Sequence, residues 1–421
     1  MALPTFCTMA GLTAKAHPMS VAETASPLAP LRLKRREERR LRAGHLWVYS
    51  NEVDTGATPL TGFAPGQPVR IEAHNGRPLG SGYVNPHSLI CARLVSRDPD
   101  QVLDKSLLVH RLNVALSLRQ RLYEQPCYRL CYGEADGLPG LIVDRYGDIL
   151  AVQLTTAGME AVREAVIAAL EQVLRPQGIL LRNDTEVRRL EGLETYVETL
   201  GEVPDPVVVS ENGARFEVSL QSGQKTGWFY DQADNRGRLR RYAAGARVLD
   251  VFSYVGAWGV QAALAGASEV ICVDSSREAL ERAAHNAVIN GVGDRLQTRQ
   301  GDAFEALKAL READERFDLV ILDPPAFIKR RKDIEAGTEA YQRLNQLAIR
   351  LLGRDGFLVT ASCSHHMQSG AFRQAVHRAA RHVDRRLQIL EWGQQAADHP
   401  RHPAIVETDY LKALYCRLVR D

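Results

Sequence analysis

Residues 248–256 read Val-Leu-Asp-Val-Phe-Ser-Tyr-Val-Gly, and a helical pattern begins directly after them at Ala257. The apolar residues indicate a buried strand, and the acid and the glycine indicate a tight turn before a helix. This order is typical of the opening of a nucleotide-binding α/β fold, although its glycine-rich loop is reduced here to Gly256 and Gly259. The stretch therefore predicts the start of a parallel sheet, and the ligand has to be inferred from the ends of the later strands.

The rest of the C-terminal half alternates strand and helix patterns, which predicts a mostly parallel sheet. The expected strands are 247–252, 269–274, 296–300, 317–322 and 356–362. The expected helices are 257–266, 277–290, 303–312, 338–352 and 369–381. Two further strands, over 388–392 and 411–418, complete a predicted seven-stranded sheet. The fold class is therefore α/β, of the Rossmann type.

Acidic residues lie at the ends of three successive predicted strands, at Asp250, Asp274 and Asp302. Each one alone is also consistent with a helix N-cap, but the ordered series, continued by Asp323, favours a ligand site. Carboxylates accept hydrogen bonds from hydroxyl and amine groups and repel a pyrophosphate. We therefore expect a nucleoside cofactor without phosphates, and S-adenosylmethionine fits better than NAD.

Two polar motifs follow the predicted strands at 317–322 and 356–362. One is Asp323-Pro324-Pro325-Ala326-Phe327, and the other places Cys363 at the end of the strand at 356–362. A thiol and a carboxylate at neighbouring strand ends can face one pocket, where the thiol attacks C6 of cytosine and the acid holds the N3/N4 edge. Alternatively, Cys363 is a small buried core residue. Its polar neighbours make this alternative less favourable; they are Ser362, Ser364, His365 and His366.

Basic residues are clustered at two places where a nucleic acid would need them. The run Lys329-Arg330-Arg331-Lys332 directly follows the Asp-Pro-Pro motif, and a second run over residues 32–42 includes Arg35 and Arg36. Such runs are often only solvated surface, but next to a nucleobase site they favour phosphate contacts. Phe327 is expected either to stack on a flipped base or to pack beneath its loop.

Composition limits the remaining choices. The chain has 421 residues, a formal net charge of +2, 45% hydrophobic and 25% charged residues, and seven scattered cysteines. We expect a cytoplasmic protein without disulfides, and neither a membrane segment nor a metal site is predicted. Changes in composition divide the chain into a disordered leader (1–30), a small β unit (31–104), a compact α/β insert (105–206) and the large unit (207–421).

Several motifs together resemble those of the bacterial 23S rRNA 5-methylcytosine methyltransferases of the large-subunit methyltransferase I family. They are 250–256, 323–327 and 362–366, with Gly44-His45-Leu46-Trp47-Val48-Tyr49, residues 133–141 (GEADGLPGL), and residues 223–232 (GQKTGWFYDQ) with Asn235-Arg236. The resemblance covers about residues 31 to 421. It implies an N-terminal PUA RNA-binding β-barrel, a central EEHEE α+β domain and a class I methyltransferase domain that uses S-adenosylmethionine.

The resemblance also implies roles for individual residues. Asp274 is expected to bind ribose and Asp302 the adenine edge, and the turn with Phe252, Ser253, Tyr254 and Gly256 is expected to hold the methionine end. Lys225 and Arg236 are expected to help position the cofactor. In related two-cysteine enzymes a second thiol occupies the place of Ala326, so the group that releases the product is left open.

The predicted reaction is methylation of cytosine C5 in 23S ribosomal RNA through a Cys363–C6 adduct, with Asp323 on N3 and N4. Two alternatives are N-methylation of guanine or adenine by the same cofactor, and a non-catalytic RNA-binding assembly factor. The sequence leaves open the target nucleotide, whether naked RNA or an assembled subunit is the substrate, and whether the chain forms a homodimer.

Overall fold

The computed structural model describes residues 28–420, which form three β-sheet units arranged along the chain. The first contains a five-stranded sheet in the order β1-β3-β4-β5-β2. Its strands are β1 Ala29–Arg32, β2 Trp47–Val48, β3 Gln67–Glu72, β4 Pro78–Val84 and β5 Ala92–Ser96, and its helix is α1 Glu38–Arg42. Leu31, Val69, Ile71 and Leu94 fill its interior. Residues 1–27 of the expected leader lie outside the described range, and Ala29 and Pro30 belong to β1 rather than to a leader.

The central unit is a mixed sheet covered by helices. Its strands, in the order β10-β9-β8-β7-β6, pair antiparallel except for β8 with β9. They are β6 Cys127–Tyr132, β7 Leu141–Tyr146, β8 Ile149–Leu154, β9 Gly178–Asn183 and β10 Tyr196–Gly201. The helices are α2 Lys105–Leu122, α3 Ala157–Ala161, α4 Arg163–Leu174 and α5 Glu186–Leu190. The expected EEHEE order is thus present as β7-β8-α4-β9-β10, with β6 added at the edge.

The large unit contains a seven-stranded sheet in the order β15-β14-β13-β16-β17-β19-β18, which confirms the prediction. Its strands are β13 Arg247–Val251, β14 Glu269–Asp274, β15 Leu296–Gln300, β16 Phe317–Leu322, β17 Leu352–Ser362, β18 Arg386–Gln394 and β19 Lys412–Val419. β19 pairs antiparallel with β17 and with β18, and the remaining neighbours in this sheet pair parallel. A hairpin of β11 Val207–Glu211 and β12 Ala214–Val218 precedes the sheet.

Helices cover both faces of this sheet. They are α6 Ala233–Gly237, α7 Ala257–Leu264, α8 Arg277–Ile289, α9 Ala303–Glu312, α10 Ile334–Leu351 and α11 Ser369–Arg381. The central strands β13 and β16 are largely apolar on both sides because both sides are buried. Val248, Leu319 and Ile321 belong to one core, and Leu249 and Val320 belong to the other. None of the helices between residues 28 and 420 is long and apolar enough to cross a membrane.

The strand order creates one point where the chain reverses direction across the sheet. From β13 the chain moves outward through β14 to β15, and it then returns so that β16 pairs with the other side of β13. Ligands of open α/β sheets bind at the carboxyl ends of strands beside such a reversal. The topology therefore locates the site at the ends of β13, β14, β16 and β17.

Close packing of α7 on the sheet requires a glycine at position 259. A Cβ atom at this position would lie 2.5 Å from the Cys272 sulfur and 3.2 Å from the Asp250 carboxylate. Both neighbours are fully buried. Gly370 in α11, in contrast, has nothing within 4 Å of the place where its Cβ would lie.

The two helical glycines should therefore respond in opposite ways to alanine. Gly259→Ala should lower the free energy of unfolding by roughly 1–3 kcal/mol, because the helix has to move off the sheet. Gly370→Ala should raise it by up to about 1 kcal/mol through helix propensity. Thermal unfolding midpoints of both variants measure the difference, and equal midpoints would contradict the packing argument.

Candidate functional site

A cavity of about 350 Å³ opens at the carboxyl ends of the central strands. Residues after β13, β14, β16 and β17 line it, together with the segment between β12 and α6. The wall includes Asp274, Asp323, Cys363, Lys225 and Asp231. The structure thus brings the predicted thiol, the predicted acid and one of the predicted cofactor acids into one space.

Cys363 is the first residue after β17 and is partly exposed to this cavity. Its thiol donates a long hydrogen bond of 3.8 Å to the carbonyl oxygen of Pro324. Burial raises the pKa of the thiol to about 11; Lys225 opposes this shift, and Asp323 and Asp231 add to it. The sulfur is therefore protonated at neutral pH until a substrate or a nearby cation favours the thiolate.

Asp323 is the first residue after β16, and both of its oxygens accept hydrogen bonds. The Gln232 side-chain amide donates to Oδ1 at 2.8 Å, and the Trp258 indole N–H donates to Oδ2 at 2.9 Å. Asn235 fixes the Gln232 side chain in turn, donating to its amide oxygen at 2.7 Å. Burial raises the pKa of Asp323 to about 6, so a proton is available near neutral pH from an oriented carboxyl group.

The turn after β13 has an unusual backbone. Phe252 and Tyr254 both adopt positive φ angles, of 65° and 50°, which non-glycine residues seldom do. The amides of Phe252 and Ser253 donate to the carbonyl oxygen of Val273 at the end of β14. This strained turn lines the cavity through Phe252, Ser253 and Tyr254. Such strain is typical of ligand-binding turns.

Asp274 ends β14 and is held by backbone amides. Tyr254 N–H donates to its Oδ2 and Ser276 N–H to its Oδ1, each at 2.9 Å. Each carboxylate oxygen keeps a further lone pair, so the half-buried group can still accept two hydroxyl hydrogen bonds at the cavity wall. This donor set fits the ribose of a nucleoside cofactor.

Two other predicted acids and Gly256 do not line the cavity. Asp250 is fully buried and accepts a hydrogen bond from Gly259 N–H, and burial raises its pKa to about 8. Asp302 is exposed and caps α9 by accepting from Phe304 N–H and Glu305 N–H. Gly256 turns the chain into α7 with a φ of 80°. Their expected contacts with the cofactor stay predictions, and for Asp250 the burial argues against contact.

Arg236 lines the cavity and also has a structural task, while its expected help in positioning the cofactor stays a prediction. Its guanidinium forms a buried bidentate pair with Glu211, with both distances at 2.6 Å, and donates to the carbonyl oxygen of Phe229. It therefore anchors the loop that carries Asp231 and Gln232. Lys225 places its ammonium 4.9 Å from the centre of the Phe229 ring.

The predicted RNA-binding residues lie outside the cavity. Phe327 packs against Tyr341, with ring centres 4.7 Å apart, so its ring contributes to the core under the loop. The basic segment 329–332 is exposed, and within it Arg330 pairs with Asp333. Arg35 and Arg36 are exposed on the N-terminal unit.

Burial lowers the pKa of His365, so this side chain is neutral at pH 7 and adds no charge beside the thiol.

Sequence reasoning missed several side chains of the site. Asp231 and Gln232 belong to the motif at residues 223–232, but no local pattern shows that they meet Asp323. Tyr410 donates a hydrogen bond to Asp231 from 179 positions along the chain. The buried ammonium of Lys412 donates to the carbonyl oxygen of Ser364 at 2.7 Å, and burial lowers its pKa to about 8.

Between residues 28 and 420, the structure brings no three His, Cys, Asp or Glu side chains together as a metal site.

Two family models match this chain. Residues 31–97 match the PUA-like domain, and residues 187–417 match the S-adenosylmethionine-dependent methyltransferase domain. Among solved structures, that of SMU.776 complexed with SAH aligns with a TM-score of 0.79 at 22% identity, covering 93% of this chain and 100% of that chain. This likeness shows a shared fold.

Curated relatives show a closer relationship. Ribosomal RNA large subunit methyltransferase I of Erwinia tasmaniensis is 38% identical over 92% of this chain and 98% of its own length. The protein of the same name from Klebsiella pneumoniae is 36% identical over 94% of this chain and 100% of its own length. The chain therefore belongs to the ribosomal RNA large subunit methyltransferase I family and is an S-adenosylmethionine-dependent methyltransferase.

Proposed function

We propose that this chain methylates C5 of a cytosine in large-subunit ribosomal RNA, through a covalent adduct between Cys363 and C6. The observation that carries the proposal is the shared cavity, which holds the Cys363 sulfur and an oriented Asp323 beside the strand ends expected to hold the cofactor. The name of the curated relatives supports the RNA substrate. Such a substrate implies a cytoplasmic site of action.

The cofactor's sulfonium supplies an electrophilic methyl group when it is bound. Asp274 would accept hydrogen bonds from the ribose hydroxyls, and the strained turn at Phe252–Tyr254 would enclose the methionine end. The cavity continues from these residues to Cys363, so the chain can hold a methyl donor and a base in one enclosed space. Asp302 remains a candidate for the adenine edge.

Cys363 and Asp323 would divide the activation of cytosine between them. The thiolate adds to C6 while Asp323 transfers its proton to N3, and together these steps make C5 nucleophilic. Lys225 lies where its charge favours the thiolate over the thiol. Both hydrogen bonds to Asp323 orient the carboxyl group before substrate arrives, which reduces the cost of reorganisation.

RNA would approach across the exposed basic segment 329–332, which follows the Asp323 loop directly. Its charges can pair with phosphates on either side of the flipped nucleotide. The basic residues of the N-terminal unit, including Arg35 and Arg36, would extend this contact to more distant RNA.

The nucleophile can be tested by substitution. Cys363→Ser should lower methyl transfer by at least about a thousandfold, because an unactivated hydroxyl replaces the thiolate. Wild-type protein should form a denaturation-resistant complex with RNA that contains 5-fluorocytidine, and the variant should not. The matched control is Cys127→Ser, at a cysteine of the central unit that accepts a hydrogen bond from Ser210 N–H. A Cys363→Ser enzyme with wild-type rates would instead support N-methylation.

The pH dependence should reveal the acid. The pKa values are about 6 for Asp323 and about 11 for Cys363. Between these two pKa values, each rise of one pH unit increases the thiolate fraction of Cys363 tenfold and decreases the protonated fraction of Asp323 tenfold, so the two effects cancel. Hence kcat/KM should be level from about pH 7 to 9 and should fall below about pH 6. Asp323→Asn should show a lower rate that rises continuously with pH. A wild-type profile that also rises continuously would rule out Asp323 as the acid.

The basic segment should act through charge alone. Lys329→Ala combined with Lys332→Ala should weaken RNA binding and reduce the slope of log affinity against log salt by about 0.7–0.9 per lost phosphate contact. Cofactor affinity should not change. Lys308→Ala in α9, which breaks a surface pair with Glu305, is the matched control. An unchanged salt slope in the double variant would show that RNA binds elsewhere.

A further inference from the structure

Release of the product requires a base that neither proposed catalytic group supplies. After methyl transfer, C5 carries both the methyl group and its original proton, and C6 still carries the Cys363 sulfur. Asp323 is occupied at the N3 edge, and both of its oxygens already accept hydrogen bonds. Ala326, which also lines the cavity, carries no titratable group. The need for a separate base rests on the proposed function.

Asp231 is a carboxylate in the same cavity with one oxygen unused. It lies in the short turn before α6, lines the cavity together with Cys363 and Asp323, and is only 6% exposed. Its Oδ2 accepts a hydrogen bond from the Tyr410 hydroxyl. Its Oδ1 is buried and has no hydrogen-bond partner within the described residues. A buried oxygen left unpaired costs stability, so a function for it is expected.

The surroundings of Asp231 keep it ionised. Burial alone would raise its pKa, but His399, Lys225, the Tyr410 hydrogen bond and Arg129 together hold the pKa below its ordinary value. The hydrogen bond from the Tyr410 hydroxyl also fixes the orientation of the carboxylate. Asp231 is therefore a charged, oriented acceptor at neutral pH.

We propose that Asp231 is the general base that removes the C5 proton and so releases the enzyme from its product. Oδ1 takes the proton, and the electrons of the C5–H bond form the C5–C6 double bond. The C6–S bond breaks, its electron pair returns to Cys363 as a thiolate, and the N3 proton returns to Asp323. The proton on Asp231 then passes to solvent, so one proton is released for each methyl group transferred.

The other polar groups of the cavity are less suited to this step. Asp323 has to receive the N3 proton at the same moment, so it cannot also accept the C5 proton. Lys225 lies beside both Cys363 and Asp231, where its positive charge favours the carboxylate and the leaving thiolate. Lys412 directs its ammonium at the Ser364 carbonyl oxygen. Asp231 is thus the base that the geometry favours.

The test uses Asp231→Asn in the full-length enzyme, with the cofactor labelled on its methyl group. On ordinary cytidine RNA we expect product release to fall by about 10²–10⁴-fold and a methylated, denaturation-resistant protein–RNA complex to accumulate. On 5-fluorocytidine RNA, whose C5 substituent no base removes, the variant should trap RNA as well as wild type does. Asp231→Glu, which keeps a carboxylate, should accumulate less complex than the Asn variant. Asp294→Asn, at an exposed residue at the opposite end of the sheet, is the matched control.

The outcomes separate this inference from the proposed function. If Asp231→Asn turns over ordinary RNA at the wild-type rate, or is inactive without accumulating the methylated complex, Asp231 is not the base. Loss of 5-fluorocytidine trapping in the variant alone would also overturn the inference, because it would place Asp231 before methyl transfer. If wild type itself traps no 5-fluorocytidine RNA, the adduct mechanism fails, independently of Asp231.

Discussion

The parallel pairing of β16 with β17, next to β13, is the constraint on which the site depends. Leu322 pairs with Val251 on one side and with Thr360 on the other, so three strands end at almost the same height. Asp323 and Cys363 are the first residues beyond two of these ends, and they therefore share a cavity. Because each strand packs into a different core on each face, a one-residue shift in register would move every side chain into the opposite core, and close packing thus fixes the positions of the two groups.

A second layer of buried charge holds the segment that completes the cavity. Glu211 of β11 pairs with Arg236 of α6 and so anchors the loop that carries Asp231 and Gln232. From the central unit, the Asp144 carboxylate accepts a hydrogen bond from the Thr226 hydroxyl and also pairs with Arg129. Separating the partners of such a pair would leave an uncompensated buried charge, which is costly. These contacts therefore hold the loop rigid even where they add little net stability. The central sheet is in this way a structural support of the candidate site.

The sequence was sufficient to predict the fold and the placement of Asp323 and Cys363 in one cavity, because strand ends are local features. It was insufficient where side-chain direction decides the outcome. Asp250 lies inside β13 rather than beyond its end, so its side chain points into the packing of α7 instead of the cavity. Phe327 is drawn into an aromatic cluster with Tyr341 that no local pattern predicts. The pair of Asp231 with Tyr410 joins distant segments, and only the antiparallel return of β19 brings them together.

Burial has the same effect on the proposed nucleophile, Cys363, and on the proposed acid, Asp323, and this would allow the two to work together. It disfavours the charged form of each, so the resting site holds a thiol and a carboxyl group that is partly protonated at neutral pH. In the proposed reaction, charge then develops only when cytosine accepts the proton of Asp323 and the sulfur together. Asp231 differs because its neighbours stabilise its charge in advance. One cavity therefore holds two carboxyl groups whose surroundings shift their pKa values in opposite directions, which suits one to donate a proton and the other to accept one.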